Sequence, residues 1–379
     1  MSSRPKIYLV DGSVGVTGAL VCAANVARAL KHSYGVILVV PSGAEIPSEY
    51  RSCFKRVIRL PIIPLSRRIG GIVLYLPSLL LVTLALRFFM IRDKSKILLI
   101  NDFYLMHGAL ARLFGYRGRL ITWVRIRPMS FGKTLSSTWL CCVRKSSDAV
   151  VAVSKYIASL VADSVDAKVL YDALDSLPQE RLTYEPSQRI VFVGNYISGK
   201  GQDVAIEAFA QCAAEFPSAT LVFHGDHLRL GKNVEFKDSL SRRVRALGLD
   251  QRIEIRGPTL SSIKEYEGAH IAMNLSESES FSMTVLEASG CGVPVIATRS
   301  GGPSEIVVDG ETGILVDVND VEGIAAAIRR LLSDSALVVK MGKAGQFRIR
   351  NLFSMERFAR EIEELMSDTY AQAQRRLKG

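Results

Sequence analysis

Short apolar runs and helix-period segments alternate along this chain in two successive series. In the first, an apolar run at 6–11 leads into a glycine-bearing loop at 12–18, a helical stretch at 19–30 and a second apolar run at 35–40. Strand, glycine loop, helix and strand form the opening of a doubly wound α/β domain. The alternation continues with extended runs at 97–100, 120–124, 149–153 and 168–171 and a helical stretch at 104–114. Ser154 stands at the cap of a further helix. Residues 176–188, with two prolines, form a linker. The second series has apolar runs at 190–193, 220–224, 253–256, 271–274, 295–297 and 314–316, with helices between them. After Ser354, another good cap, Phe358, Ile362, Leu365, Met366 and Tyr370 recur at helical spacing and predict a final amphipathic helix.

The 379 residues are too many for one ordinary core and fit two. The predicted fold class is therefore α/β, with two Rossmann-like doubly wound domains. These are residues 1–175 and residues 176–353, followed by a closing helix at 354–379.

Residues 69–86 break the pattern. They carry no charged side chain over eighteen positions, the lower limit for a membrane-spanning helix. Gly70 and Gly71 open the segment, Pro77 interrupts it, and arginines flank both ends. Three readings stand: a buried helix pair, a monotopic membrane-docking surface, or a true span. A span would split the first sheet, because strands are predicted on both sides. The favoured reading is a helical segment bent or broken near Pro77, partly buried and partly facing a membrane.

Charge sharpens this. Lys and Arg number 48 against 37 Asp and Glu, a net charge of +11. Such an excess serves nucleic acid, an anionic membrane surface or an anionic substrate. No basic helix with interleaved aromatics and no nucleic-acid motif is present, which sets nucleic acid aside. Arg51, Lys55, Arg56, Arg59, Arg67, Arg68, Arg87 and Arg92 gather around the apolar segment, and that points to a membrane surface. The six cysteines show no metal-ligand spacing and fit a reducing compartment. A strand pattern begins at Lys6 with no signal sequence before it. The expected location is the cytoplasm, peripheral to the inner face of a membrane.

The densest chemistry lies at 276–313. Glu279 and Glu287 stand there with seven residues between them, the first in a polar turn and the second in a helical stretch that Ser280 or Ser282 caps. A Gly/Pro turn, an apolar strand and a Gly-Gly loop follow. A helix start offers free backbone N–H groups and a positive dipole, which suits a diphosphate. Two glutamates by themselves fit solvated helix-start charges better, so the wider pattern decides. Ser276, Glu279, Phe281, Leu286-Glu287-Ala288, Gly292, Pro294-Val295-Ile296-Ala297-Thr298, Gly301-Gly302, Glu305-Ile306, Gly310 and Gly313 together resemble a known donor-site signature. It is that of retaining glycosyltransferases of the GT-B fold, family 4 (group 1). A second matching block, V-F-V-G-N-Y-I-S-G-K-G-Q-D-V-A-I-E-A-F-A at 191–210, combines a strand, a loop and a helix. The stretch T-G-A-L-V-C-A-A-N-V-A-R-A-L from Thr17 resembles the family's opening, with Thr17 in place of its first glycine.

The resemblance implies two domains facing each other across a cleft, with the donor on the second, the acceptor on the first and the final helix packed back on the first. It implies that Glu279 holds the donor sugar and Glu287 the nucleotide ribose. The backbone at Phe281, Ser282, Met283 and Thr284 would face sugar and phosphates; the family often has glycine where Ser282 stands. Lys200 matches a lysine that neutralises the diphosphate. Asn195 stands where an arginine is expected, and brings hydrogen bonds without charge. Gly15 and Gly18 permit close backbone approach in the first domain. Arg125 follows a strand where the family tends to have histidine, and suits either an anionic acceptor such as a lipid pyrophosphate or a structural ion pair. Asp102 and His107 lie at a strand end, where α/β sheets place ligands. Asp172-Ala173-Leu174-Asp175 replaces the usual N-G-V-D, and residues 256–260 stand where the base is often held.

The implied activity is transfer of a sugar from a UDP-, GDP- or ADP-sugar to an acceptor hydroxyl, with retention and without metal or other cofactor. Glu279 and Lys200 are the expected catalytic residues. The membrane feature suggests a saccharide or lipid-linked acceptor of a surface polysaccharide pathway. Two other readings remain: a GT-B-shaped binding or scaffold protein that has lost catalysis, kept alive by Asn195, Asp172-Ala173 and Arg125, and a nucleotide-sugar epimerase.

Overall fold

The computed structural model describes residues 4–63, 69–176, 188–228, 230–259 and 261–378, with backbone alone at 69–72 and 369–378. Arg67, Arg68, most of the predicted linker, Leu260 and the Tyr370 side chain lie outside the described residues. The chain forms two compact units, Met1–Ala173 together with Met355–Gly379, and Leu174–Ser354. The first boundary falls two residues before the predicted one and the second falls one residue after it.

The first unit holds a seven-stranded sheet in the order β3-β2-β1-β4-β5-β6-β7. Its strands are β1 (Lys6–Val10), β2 (Gly35–Pro41), β3 (Arg56–Leu60), β4 (Ile97–Ile100), β5 (Arg119–Val124), β6 (Ala149–Ala152) and β7 (Lys168–Val169). Every pairing is parallel. Strands buried on both faces need unbroken apolar runs, and Ile-Leu-Leu-Ile in β4 is one. The final helix, Met355–Lys378, lies on the helix Gly18–Ala29 and on β5. It buries Phe358, Ile362, Leu365 and Met366, and Arg119 donates to the Met366 carbonyl at 2.7 Å.

The second unit repeats the scheme with six parallel strands ordered β10-β9-β8-β11-β12-β13. They are β8 (Arg189–Val193), β9 (Thr220–His224), β10 (Ile253–Arg256), β11 (Ile271–Asn274), β12 (Val295–Thr298) and β13 (Gly313–Val316). In each sheet the winding reverses once, between β1 and β4 and between β8 and β11. Open parallel sheets bind ligands beyond the carboxyl ends of strands at such reversals. Most of the predicted site residues follow these four strands.

Three sequence expectations change. The strand β3 was unforeseen. Its arginine-bounded run, R-V-I-R-L, forms a half-buried edge strand, and the Arg56 guanidinium turns inward to Tyr8 Oη at 3.0 Å and Asp93 Oδ2 at 2.9 Å. Arg56 is therefore taken from the proposed basic surface. The predicted helix at 104–114 starts only at His107. The apolar segment forms one continuous helix, Ile69–Arg92, that runs through Pro77 unbroken. The ring removes a single backbone bond; Ser78, Leu79, Val82 and Leu86 remain buried beside it, and Ser78 Oγ accepts from the Ile63 amide at 3.1 Å. This helix is the crossover between the sheet strands β3 and β4, and its inner side joins their core. That placement overturns the spanning reading.

Candidate functional site

In the second unit two loops meet beyond β8 and β11. The loop after β8 needs glycine at both sides of Lys200. Gly199 and Gly201 hold φ of 87° and 86°, and a side chain at Gly201 would meet the Leu275 carbonyl at 2.3 Å. Gln202 then opens a helix and returns its amide to the Asn195 carbonyl at 3.0 Å. Glu277, in the loop after β11, donates its backbone N–H to the Gly199 carbonyl at 2.8 Å, which joins the loops. Across that joint Lys200 Nζ reaches Glu279 Oε2 at 2.8 Å. Both side chains remain partly exposed, at 32% and 19%. A cation and a carboxylate so placed are held ready, each able to exchange the other for a ligand group.

The Gly301-Gly302 pair fixes Glu279. Its N–H donates to the Ser300 carbonyl at 3.0 Å and its carbonyl accepts from the Gly302 N–H at 2.9 Å. A Cβ on Gly302 would lie 2.2 Å from Phe281 Cα, so only glycine fits. Phe281 is buried and stacks at 5.8 Å on Phe353, leaving only its backbone for a ligand. Ser282 caps the helix Met283–Gly290 by accepting from the Val285 amide at 3.4 Å. Its φ is 98°, a left-handed geometry that glycine adopts freely and serine does not. Asn274 Nδ2 donates to Ser282 Oγ at 3.1 Å and to Thr284 Oγ1 at 3.2 Å. Met283 and Thr284 are half-buried at the helix start. One turn on, Glu287 Oε2 accepts from Ser262 Oγ at 2.7 Å, and burial pushes its carboxyl up to about 7. Asn195 turns its side-chain carbonyl to the Asp226 N–H, 3.3 Å away. Lys200 is thus the cation of the loop 194–201, whose sequence holds no arginine. Arg256, at the predicted base region, pairs with Glu254 at 2.6 Å.

In the first unit Gly15 lies in the loop after β1, with open space where a Cβ would stand, and Gly18 is the exposed first residue of its helix. Asp102 is buried after β4. Its Oδ1 accepts from the Phe103 and Arg125 amides at 2.9 and 3.1 Å, and burial raises its carboxyl to about 7. Arg125, given two readings above, takes the ion-pair one. Its Nη1 donates to both Asp172 oxygens at 2.9 Å, its Nε to Asn101 Oδ1 at 2.7 Å, and its guanidinium lies over the Trp123 ring. Its Nη2 is buried and, among the described residues, unpartnered. His107 is buried with both ring nitrogens unpartnered among the described residues, and burial lowers it to about 4. Nothing joins it to the other candidates. Sequence reasoning missed Asn274, Ser262 and Asp11, whose carboxylate accepts from Asn101 Nδ2. Of these, only Asp11, at the end of the first strand, carried a signal. The other two act through contacts that no spacing reveals.

With the geometry in place, the likeness to known proteins is specific. Residues 175–348 match the family model of the glycosyl transferases group 1. N-acetyl-alpha-D-glucosaminyl L-malate synthase of Bacillus anthracis is 28% identical over 238 residues, covering 59% of this chain and 60% of that one. The GDP-mannose-dependent alpha-(1-6)-phosphatidylinositol monomannoside mannosyltransferase of Mycolicibacterium smegmatis is 27% identical over 267 residues, covering 63% and 67%. The chain thus spans about three-fifths of the first relative's length. Among solved structures, Anabaena Alr3699/HepE in complex with UDP-glucose superposes with a TM-score of 0.79 at 19% identity, covering 96% of this chain and 99% of that one. Sucrose-phosphate synthase from Thermosynechococcus elongatus gives a TM-score of 0.80 at 20% identity, covering 97% and 100%. These structures share the fold. Residues 175–348 are thus similar to the glycosyl transferases group 1, and the two doubly wound units have the GT-B fold.

Proposed function

We propose that the protein transfers a sugar from a nucleoside diphosphate donor to an acceptor hydroxyl, with retention at the anomeric carbon. The carrying observation is the Lys200–Glu279 pair, 2.8 Å across, beyond the reversal of the second sheet and beside the start of the helix Met283–Gly290. When the sugar leaves, negative charge builds on the diphosphate and positive charge on the sugar ring. Lys200 and the free amides of the helix start stabilise the first. Glu279, released from Lys200, orients the sugar hydroxyls and eases the second. Glu287 takes the ribose. This reading needs no metal and no covalent nucleophile, because the diphosphate charge is met by Lys200 and the amides.

The acceptor we propose is a lipid-linked saccharide of a surface polysaccharide, used at the cytoplasmic face of a membrane. The mycobacterial relative, named for a phosphatidylinositol mannoside, supports this class. The HepE complex with UDP-glucose supports a nucleotide-sugar donor.

Thermal unfolding with UDP, GDP, ADP and their sugar conjugates tests the donor site. At a hundredfold excess over its dissociation constant, one base is expected to add about 2.7 kcal/mol of stability. Lys200→Ala and Glu279→Ala should each lose most of that shift while unfolding as sharply as the parent. A well-folded parent that responds to no nucleotide would favour the degenerate scaffold, for which Asn195 in place of an arginine is the motivating residue. Once a donor is known, proton coupling at the anomeric centre of the product checks retention.

A further inference from the structure

The crossover helix Ile69–Arg92 is apolar on both sides. Its inner side, with Val82, Leu86 and Met90, is buried in the core beneath β1, β2 and β4. Its outer side carries Leu76, Leu80, Leu84, Phe88 and Ile91, each between 45% and 66% exposed. Steps of three and four place these on one stripe. From Leu76 to Ile91 the stripe runs about 22 Å. A monomer in water rarely leaves so continuous an apolar surface uncovered.

The charges around it select what covers it. The helix has no acidic residue. Arg92, Lys94 and Lys96 stand exposed at its end. The one carboxylate among them, Asp93, is shared by Lys6 at 3.2 Å, Arg56 at 2.9 Å and Arg92 at 3.7 Å, leaving Lys94 and Lys96 outside these pairs. In the sequence, Arg67 and Arg68 precede the helix. A second copy would bring the same positive charge, on a chain whose net charge is already +11. An anionic lipid surface brings the opposite one, and its acyl boundary accepts the stripe.

We infer that this face is a monotopic docking surface, lying in the plane of an anionic bilayer with the inner side still packed on the sheet. Docking needs neither nucleotide nor acceptor, so its failure would leave the transferase reading intact, and the converse holds.

Flotation of the whole protein with vesicles tests it, comparing phosphatidylcholine alone with equal parts phosphatidylglycerol and phosphatidylcholine. The protein should float with the anionic vesicles, less with the neutral ones, and less again in high salt. Leu80→Glu and Phe88→Glu should each weaken binding about tenfold or more. Their unfolding midpoints should stay at the parent value, because both side chains face solvent. A parent that stays in the soluble fraction with anionic vesicles overturns the inference, as do variants that float like the parent. Sedimentation that shows a parental dimer and monomeric variants would also overturn it, since a second copy would then cover the face.

Discussion

Ser282 holds φ at 98° although it carries a Cβ, a geometry that costs a serine about 1–3 kcal/mol. What keeps it there is visible. Asn274, itself buried, donates to Ser282 Oγ and to Thr284 Oγ1, and Ser282 Oγ in turn accepts the Val285 amide. The backbone amides expected to face the donor depend on that conformation. Asn274→Ala should therefore weaken nucleotide binding about tenfold, the worth of one or two buried hydrogen bonds. Adding Ser282→Gly should restore most of it, because glycine takes the left-handed region without help. Calorimetric titration of the single and double variants checks this; a double variant as weak as Asn274→Ala would show that the clamp does not set the loop. Asp102 makes a different prediction. Its carboxyl is raised to about 7 by burial, so between about pH 4 and pH 7 the folded chain holds a proton that the unfolded chain has lost. Its stabilising contribution is thus present at low pH and is lost as pH rises through 7. Asp102→Asn keeps the Oδ1 acceptor for the Phe103 and Arg125 amides and should raise the unfolding midpoint at pH 8 but not at pH 4. A variant no more stable than the parent at pH 8 would refute it.

At the scale of the element, periodicity made most strands and helix starts legible. A parallel strand buried on both faces is an apolar run in any sequence, so β4, β9 and β11 could be placed to the residue or nearly so. The edge strand β3 escaped because edges need no such run, and its two arginines, Arg56 and Arg59, resemble surface. The helix Ile69–Arg92 escaped in another way. Its apolar composition was evident over 69–86, but its full length to Arg92 and its continuity through Pro77 were not; three settings were open, and only pairing of β3 and β4 within one sheet made it a crossover. The Gly301-Gly302 loop was legible as a motif, and its reason is tertiary: the Gly302 Cα hydrogen points at the Phe281 backbone. Gly302→Ala should destabilise the second unit by about 1–3 kcal/mol, as overpacking does. It should also weaken nucleotide binding, since Phe281 and Ser282 would be pushed from place. Urea unfolding and titration together check this, and an alanine variant of parental stability would contradict the close approach.

For the whole molecule, the final helix decides how the chain divides. Residues from Met355 onward return to the first unit, although the residues just before them belong to the second. Phe358, Ile362, Leu365 and Met366 are each buried there. At about 1.5–3 kcal/mol per side chain, their sum rivals the net stability of an ordinary domain. Removing residues 355–379 should therefore unfold the first unit and leave the second folded, read as loss of one calorimetric transition while nucleotide protection survives. Retention of both transitions would show that the helix is dispensable.

By itself the sequence determined the alternation of strands and helices, the two cores and the donor-site motif, because burial period and glycine spacing are local properties of a chain. It did not determine who meets whom. Lys200 finds Glu279 from 79 positions away, Glu287 finds Ser262 from 25, and Arg125 is closed by Asp172 from 47. Those partners depend on which strands lie side at side in a sheet, and strand order is set by long-range packing that no local pattern encodes. The tertiary structure alone therefore decided that Lys200 and Glu279 pair directly at 2.8 Å, that Arg125 is an internal ion pair, and that an apolar helix keeps one side for the core and the other for the surface.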